Sequence, residues 1–190
     1  MNHEGNNLTR TYMTSIPSPL LRRNMLMPLL LTAAVVIADQ ITKAVVVARL
    51  PLFHETGHTV EVIGSFFRLT HVRNLGIAFS IGHTLPPLAR QILFIALPIV
   101  VIFVLYFWYY ASDELSQRQR WFVAAVLGGG IGNLIDRIFR PLGVVDFLDV
   151  RFYGLFGMER WPTFNVADTA VVVGGVLLVI SVFLAPREQS

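Results

Sequence analysis

The sequence predicts an integral membrane protein, mainly α, with four transmembrane helices and a small β-cradle inserted between the first and second spans. Three observations predict it. Hydrophobic residues make up 54% of the 190-residue chain and charged residues only 14%, too little polar surface to cover a soluble domain of this size. Four apolar stretches are each long enough to cross a hydrocarbon core. The segment between the first two, residues 52–87, is not a span but contains VEVIGSFFRLTHVRN, whose β-branched and aromatic residues favour a short sheet. A chain of this length is expected to form one domain, here residues 25–190.

Residues 1–24 are polar, lack a helical period and are expected to form a disordered tail, with Met25 or Met27 an equally good start. The first span covers about 28–50, PLLLTAAVVIADQITKAVVVARL, which as a helix reaches roughly 34 Å. Arg22–Arg23 before an apolar run imitates a signal peptide, but VIA precedes Asp39 where A-x-A would be needed, and hydrophobicity resumes after Lys43. The segment is therefore expected to be retained. The second span is 88–111, with Pro98 as an expected kink; the third is 121–139 and the fourth 164–185. Tyr106, Trp108, Tyr109, Tyr110 and Trp121 crowd the polar loop SDELSQRQR as an interfacial aromatic belt does. Four spans put both termini on one side, and Arg22–Arg23 beside the first span favours the cytoplasmic one. In the insert, NLGIAFS reads as a turn followed by an apolar loop at the membrane surface.

The formal net charge is +3, but the basic residues are scattered. Attraction to anionic membrane lipid explains this more simply than nucleic-acid binding, which is not expected. The absence of cysteine excludes disulfides, thiolate metal sites and a Cys nucleophile.

Polar residues interrupt the apolar pattern where lipid should be. Asn133, Asp136 and Arg137 share one helix face at i, i+3, i+4. Gly129 lies on that face one turn earlier, and Gly128 with Gly132 forms a G-x-x-x-G pair. The fourth span opens with Asn165 and Asp168, again i, i+3. Because the third span must end where the fourth begins, Asp136, Asp146, Asn165 and Asp168 gather near one interface. Small residues and Asn often serve only as helix–helix glue, but several acids converging near lipid are costly unless paired or used. Two close carboxyls share a proton, so one can activate water while the other hydrogen-bonds a carbonyl. A proton or ion pathway is the competing use, and a non-enzymatic scaffold another. These patterns alone leave Asp136 and Asp146 as alternatives, with the lack of an adjacent cation favouring Asp146. Asp39 and Lys43, at i, i+4 in the first span, read as an internal ion pair, although Lys43 could snorkel to the interface.

HETGH at 54–58 matches H-E-x-x-H, but zinc chemistry at that motif needs both His on one helix face. Pro51 before it, Gly57 inside it and the strand-like TVEVIG after it argue against that helix. His71 and His83 read as surface or cradle residues; no metal and no cofactor is expected.

DQITK at 39–43, NLGIAFS at 74–80, GGGIGNLIDR at 128–137, VVDF at 144–147 and FNVAD at 164–168 together resemble the bacterial lipoprotein signal peptidases (type II signal peptidases), in the family's order and across most of residues 28–185. The resemblance implies an inner-membrane aspartic endopeptidase that acts on a prolipoprotein signal peptide and cuts before the diacylglyceryl-cysteine. It implies Asp146 and Asp168 as the catalytic dyad. Asn133, Arg137 and Asn165 would form the polar shell around it, with Asn74, Gly76, Asp39, Lys43 and Asp136 as further supports and Asp136 paired to a neighbouring Arg. The active site and cradle would be periplasmic, both termini cytoplasmic, and the enzyme a monomer among membrane lipid. The connection from VVDF to FNVAD is somewhat long, which leaves its conformation open.

Overall fold

The computed structural model describes residues 19–76 and 85–184. Four of its helices are long and apolar enough to cross a membrane. Helix α1 (Pro19–Arg49) is followed by the short α2 (Phe53–Thr56) and the strands β1 (Val60–Ile63) and β2 (Phe67–Asn74). The second span comprises α3 (Pro87–Gln91), a π-helical turn (Ile92–Ala96) and α4 (Leu97–Ala111); α5 (Gln117–Phe139), strand β3 (Val144–Val150) and α6 (Val166–Phe183) complete the chain.

Three features of the helices differ from expectation for identifiable reasons. Helix α1 begins at Pro19, so residues 19–24 are helical rather than tail; proline suits a first helical position, and Leu and Arg propagate the helix from it. The expected Pro98 kink is a π-turn just before it, in which the Leu97 N–H reaches the Ile92 carbonyl. A wider turn is one way to accommodate the missing proline N–H and its ring. Helix α5 starts at Gln117 because Ser116 and Gln119 form a reciprocal capping box ahead of the apolar run.

Helix α5 is the most buried of the spans, wedged between α1 and α6. Glycine makes this possible: a Cβ on Gly129 would lie 2.2 Å from the Ala167 carbonyl oxygen of α6. At the opposite end, Arg120 is buried, donates to the Ser112 carbonyl at 2.8 Å and also bonds the Tyr109 carbonyl, fixing the α4–α5 loop.

The sheet has the order β1-β2-β3 and is antiparallel throughout. Two strands come from the expected insert. The third, which carries Asp146, comes from the connection between the third and fourth spans and pairs Val72 with Asp146 and Asn74 with Val144. Val145 and Phe147 pack with Val46 of α1, seating the sheet on the end of the bundle. Gly143, which introduces β3, has φ +88°, and a Cβ there would meet the Asn74 carbonyl oxygen at 2.4 Å; only glycine lets the strand enter so close to β2.

Candidate active site

Each expected site residue enters one connected cluster where α5, α6, α1 and β3 meet. The sequence FNVAD is itself a capping box. Asn165 is the N-cap of α6; its Oδ1 accepts from the Asp168 N–H at 2.9 Å, and Asp168 Oδ2 accepts from the Asn165 N–H at 3.1 Å. The helix start therefore aims the Asp168 carboxyl, leaving its Oδ1 to accept from Asn133 Nδ2 at 2.7 Å.

Asn165 also joins Asp168 to Asp146, since its Nδ2 donates to Asp146 Oδ1 at 2.7 Å and to Asn133 Oδ1 at 3.1 Å. The other Asp146 oxygen accepts from Asn74 Nδ2 at 3.0 Å. Asn74 Oδ1 in turn accepts from the Gly76 N–H at 3.0 Å, placing Gly76 in the cluster. Arg137 reaches the Gly76 carbonyl at 3.4 Å and lies over the Phe94 ring. Residues 77–80 of NLGIAFS lie outside the described residues, as do His83 and the expected tail over residues 1–18.

Behind this layer lies a fully buried charge cluster. Lys43 Nζ contacts Asp39 at 2.8 Å, Asp136 at 3.1 Å and Asn133 Oδ1 at 3.0 Å, with Lys43, Asp39 and Asp136 side chains all at 0% exposure. Lys43 is thus an internal ion-pair partner and does not snorkel. Asp39 also accepts from the Ala167 N–H at 3.0 Å, tying α1 to the first turn of α6. Asp136 accepts from the Val145 N–H at 3.0 Å and pairs with Arg140 at 3.2 Å, which locks the start of β3 to α5. Of the two neighbouring arginines, Arg140 and not Arg137 makes that ion pair.

These contacts separate the acids that the sequence pattern left as alternatives. Asp136 is engaged by two cations and a backbone amide. Asp146 and Asp168 are held by neutral amides and, among the described residues, form no ion pair. Burial pushes the Asp146 carboxyl up to about 7, and the nearby Asp168 carboxylate pushes the same way; the amides of Asn74 and Asn165 and the Lys43 charge oppose the shift. A carboxyl poised near neutrality beside a second carboxyl can hold the one proton that such a pair shares.

Gln40 is a residue the sequence reading passed over. Its Nε2 lies 3.1 Å from Asp39, from Asp136 and from the Gly132 carbonyl; an amide beside Asp39 in an apolar span was the available signal. Asp149 was also missed: it bonds Arg68 at 2.7 Å and also pairs with Arg160, clamping β3 to β2 and to the connection beyond.

The HETGH segment is not a zinc helix. Helix α2 ends at Gly57, which has φ 67°, so His58 lies beyond it and shares no helix face with His54. Among the described residues no group of three or more potential metal ligands forms. His71 is buried in the cradle with Nδ1 at 2.9 Å from the Leu50 carbonyl, and burial pushes its pKa down.

The family model for signal peptidase (SPase) II matches residues 31–184. This chain belongs to the signal peptidase II family. Its members are peptidases, and the match runs from the first span through the fourth. Relatives include the lipoprotein signal peptidase of Treponema pallidum, 45% identical over 163 residues that cover 86% of each chain. That of Treponema denticola is 45% identical over 168 residues, covering 88% of this chain and 95% of the relative. A bacterial membrane enzyme solved by the in meso method superimposes with a TM-score of 0.72 at 27% identity, over 86% of this chain and 93% of the other. The signal peptidase II assignment and the four-span fold thus agree.

Proposed function

We propose that this signal peptidase removes the signal peptide from prolipoproteins by cleaving before a diacylglyceryl-modified cysteine, with Asp146 and Asp168 as a metal-free catalytic dyad. The observation that carries the proposal is the bridge made by Asn165, which bonds both carboxyls and holds them at one end of the bundle. The family match and the names of the relatives support the substrate class.

The pair shares one proton. The protonated carboxyl hydrogen-bonds the scissile carbonyl oxygen, and the ionised one takes a proton from water as its oxygen attacks the carbonyl carbon. The intermediate collapses when the departing amine is protonated, and the bond before the modified cysteine breaks. Asn133, Asn165 and Asn74 hold the carboxyls, Lys43 with Asp39 and Asp136 forms the buried floor, and Arg137 with Gly76 borders the entry. The site lies where α5 ends and α6 begins, a depth that lets the diacylglyceryl tails stay in the leaflet while the scissile bond meets water. We place that end at the periplasmic face of the inner membrane, with both termini cytoplasmic and the enzyme a monomer.

The test is cleavage of a purified diacylglyceryl prolipoprotein in detergent with a chelator present, the product identified by mass spectrometry. The expected product begins at the lipidated cysteine. Failure of the folded protein to cut, under conditions where the Treponema pallidum relative does, would refute the reading.

A further inference from the structure

The connection between β3 and α6 is a shaped hairpin. The Trp161 N–H bonds the Val150 carbonyl at 2.9 Å, the Phe152 N–H the Glu159 carbonyl at 2.8 Å and the Gly154 N–H the Met158 carbonyl at 3.0 Å. Its base is clamped by Asp149 with Arg68 and Arg160, and by Arg151 with Glu159 at 2.7 Å. At its tip Tyr153 (φ 51°) and Phe156 (φ 54°) both adopt the left-handed conformation, which bulky side chains rarely enter because it is strained. This held shape presents apolar surface outward: Tyr153 is 66% exposed, Leu155 54% and Phe156 79%.

The path of β3 indicates what meets that surface. Its Val145 N–H is tied to Asp136 near the end of α5, and its Leu148 pairs with Phe164 just before α6. One helix leaves the bilayer and the other enters it at the same face, so the strand between these two ties runs along the membrane surface. Leu148 lines an apolar groove with Val166, Ala170 and Val173 of α6, making the strand continuous with the lipid-facing surface of the span. Beyond Val150 the chain continues into the hairpin, whose base starts from this surface strand.

We infer that the hairpin tip, Tyr153, Leu155 and Phe156, inserts into the interfacial layer of the bilayer and anchors the sheet that carries Asp146 at a fixed height. The occupant of the apolar tip is membrane lipid. Aromatic rings with one polar group favour the headgroup level. At that height the Arg151 guanidinium, 5.1 Å from the Tyr153 ring centroid and paired with Glu159, would lie at the level of the lipid phosphates. This inference depends on the membrane placement and not on the cleavage chemistry.

The chain has no cysteine, so single spin labels can be introduced at Phe156→Cys and, separately, Leu155→Cys in the full chain. Both are reconstituted into phosphatidylethanolamine–phosphatidylglycerol vesicles, with Glu114→Cys in the polar α4–α5 loop as reference. The expected result is that labels at 155 and 156 collide more with oxygen than with an aqueous nickel chelate, the reverse of the ratio at 114. Labels at both tip positions as accessible to the nickel chelate as the one at 114 would overturn the inference. So would protection that appears only when prolipoprotein is added, or only together with spin–spin broadening between copies. Those last two results would assign the tip to substrate or to a second copy.

Discussion

Replacing Lys43 by Met tests whether the buried charge cluster supports the site. Methionine fills a similar volume but removes the ammonium that contacts Asp39 at 2.8 Å and Asp136 at 3.1 Å. Asp136 keeps Arg140, Gln40 and the Val145 amide. Among the described residues Asp39 keeps only hydrogen bonds from Gln40 and the Ala167 amide, so the loss falls mainly on one fully buried carboxylate. Removing one partner of such a pair costs about 3–5 kcal/mol, which for a domain of this size corresponds to a fall in Tm of roughly 6–20 °C. The double variant Lys43→Met/Asp39→Asn should recover part of that loss, because the amide removes the stranded charge while its carbonyl can still accept from Ala167. Thermal unfolding of the purified variants in one detergent measures both effects. A single variant within about 1 kcal/mol of the parent would refute the reasoning, since it would mean that the cluster is solvated or that its charges do not depend on Lys43.

Other perturbations address other parts of the account. Gly129→Leu should separate α5 from α6 and abolish both stability and cleavage, because even a Cβ would sit 2.2 Å from the Ala167 carbonyl oxygen; Gly175→Ala, with nothing within 4 Å, should be silent in the same unfolding and cleavage assays. The protonated dyad is lost as pH rises through the Asp146 value, so kcat/KM should fall above about 7. The Asn74 amide donates to the Asp146 carboxylate and favours its charged form; Asn74→Ala should therefore move that alkaline limb upward, by roughly one to two pH units for one charge-assisted hydrogen bond. His54→Ala and His58→Ala should cut at the parental rate with or without a chelator, since the two side chains share no helix face; loss of cleavage in either would revive a metal-dependent reading.

The spans were legible in the sequence because lipid imposes a length and a composition that hydropathy reads directly. The paired polar residues were legible because Asn133, Asp136, Asn165 and Asp168 violate that composition. Contacts between segments distant in sequence were not. The pairing of β3 with β2 joins Asp146 to a strand on the far side of two spans, so the cradle was read from its local insert alone. Adjacent charges favour Asp146 over Asp136 without deciding between them, because Lys43, one of the cations that neutralises Asp136, comes from the first span. Both capping boxes were written in the sequence, as S-x-x-Q and N-x-x-D, yet only the structure shows that the second one aims Asp168. The turn at the hairpin tip was unreadable for another reason: Tyr153 and Phe156 adopt a conformation that their own preferences oppose.

The central claim is the dyad, and the most direct measurement is the cleavage rate of a diacylglyceryl prolipoprotein by Asp146→Asn and Asp168→Asn, each first shown by thermal unfolding to be folded. Acid–base catalysis of this kind contributes about 10²–10⁴-fold, so each variant should lose at least the lower figure while still binding substrate. Cleavage at the parental rate by either folded variant would contradict the account and remove that carboxyl from the chemistry.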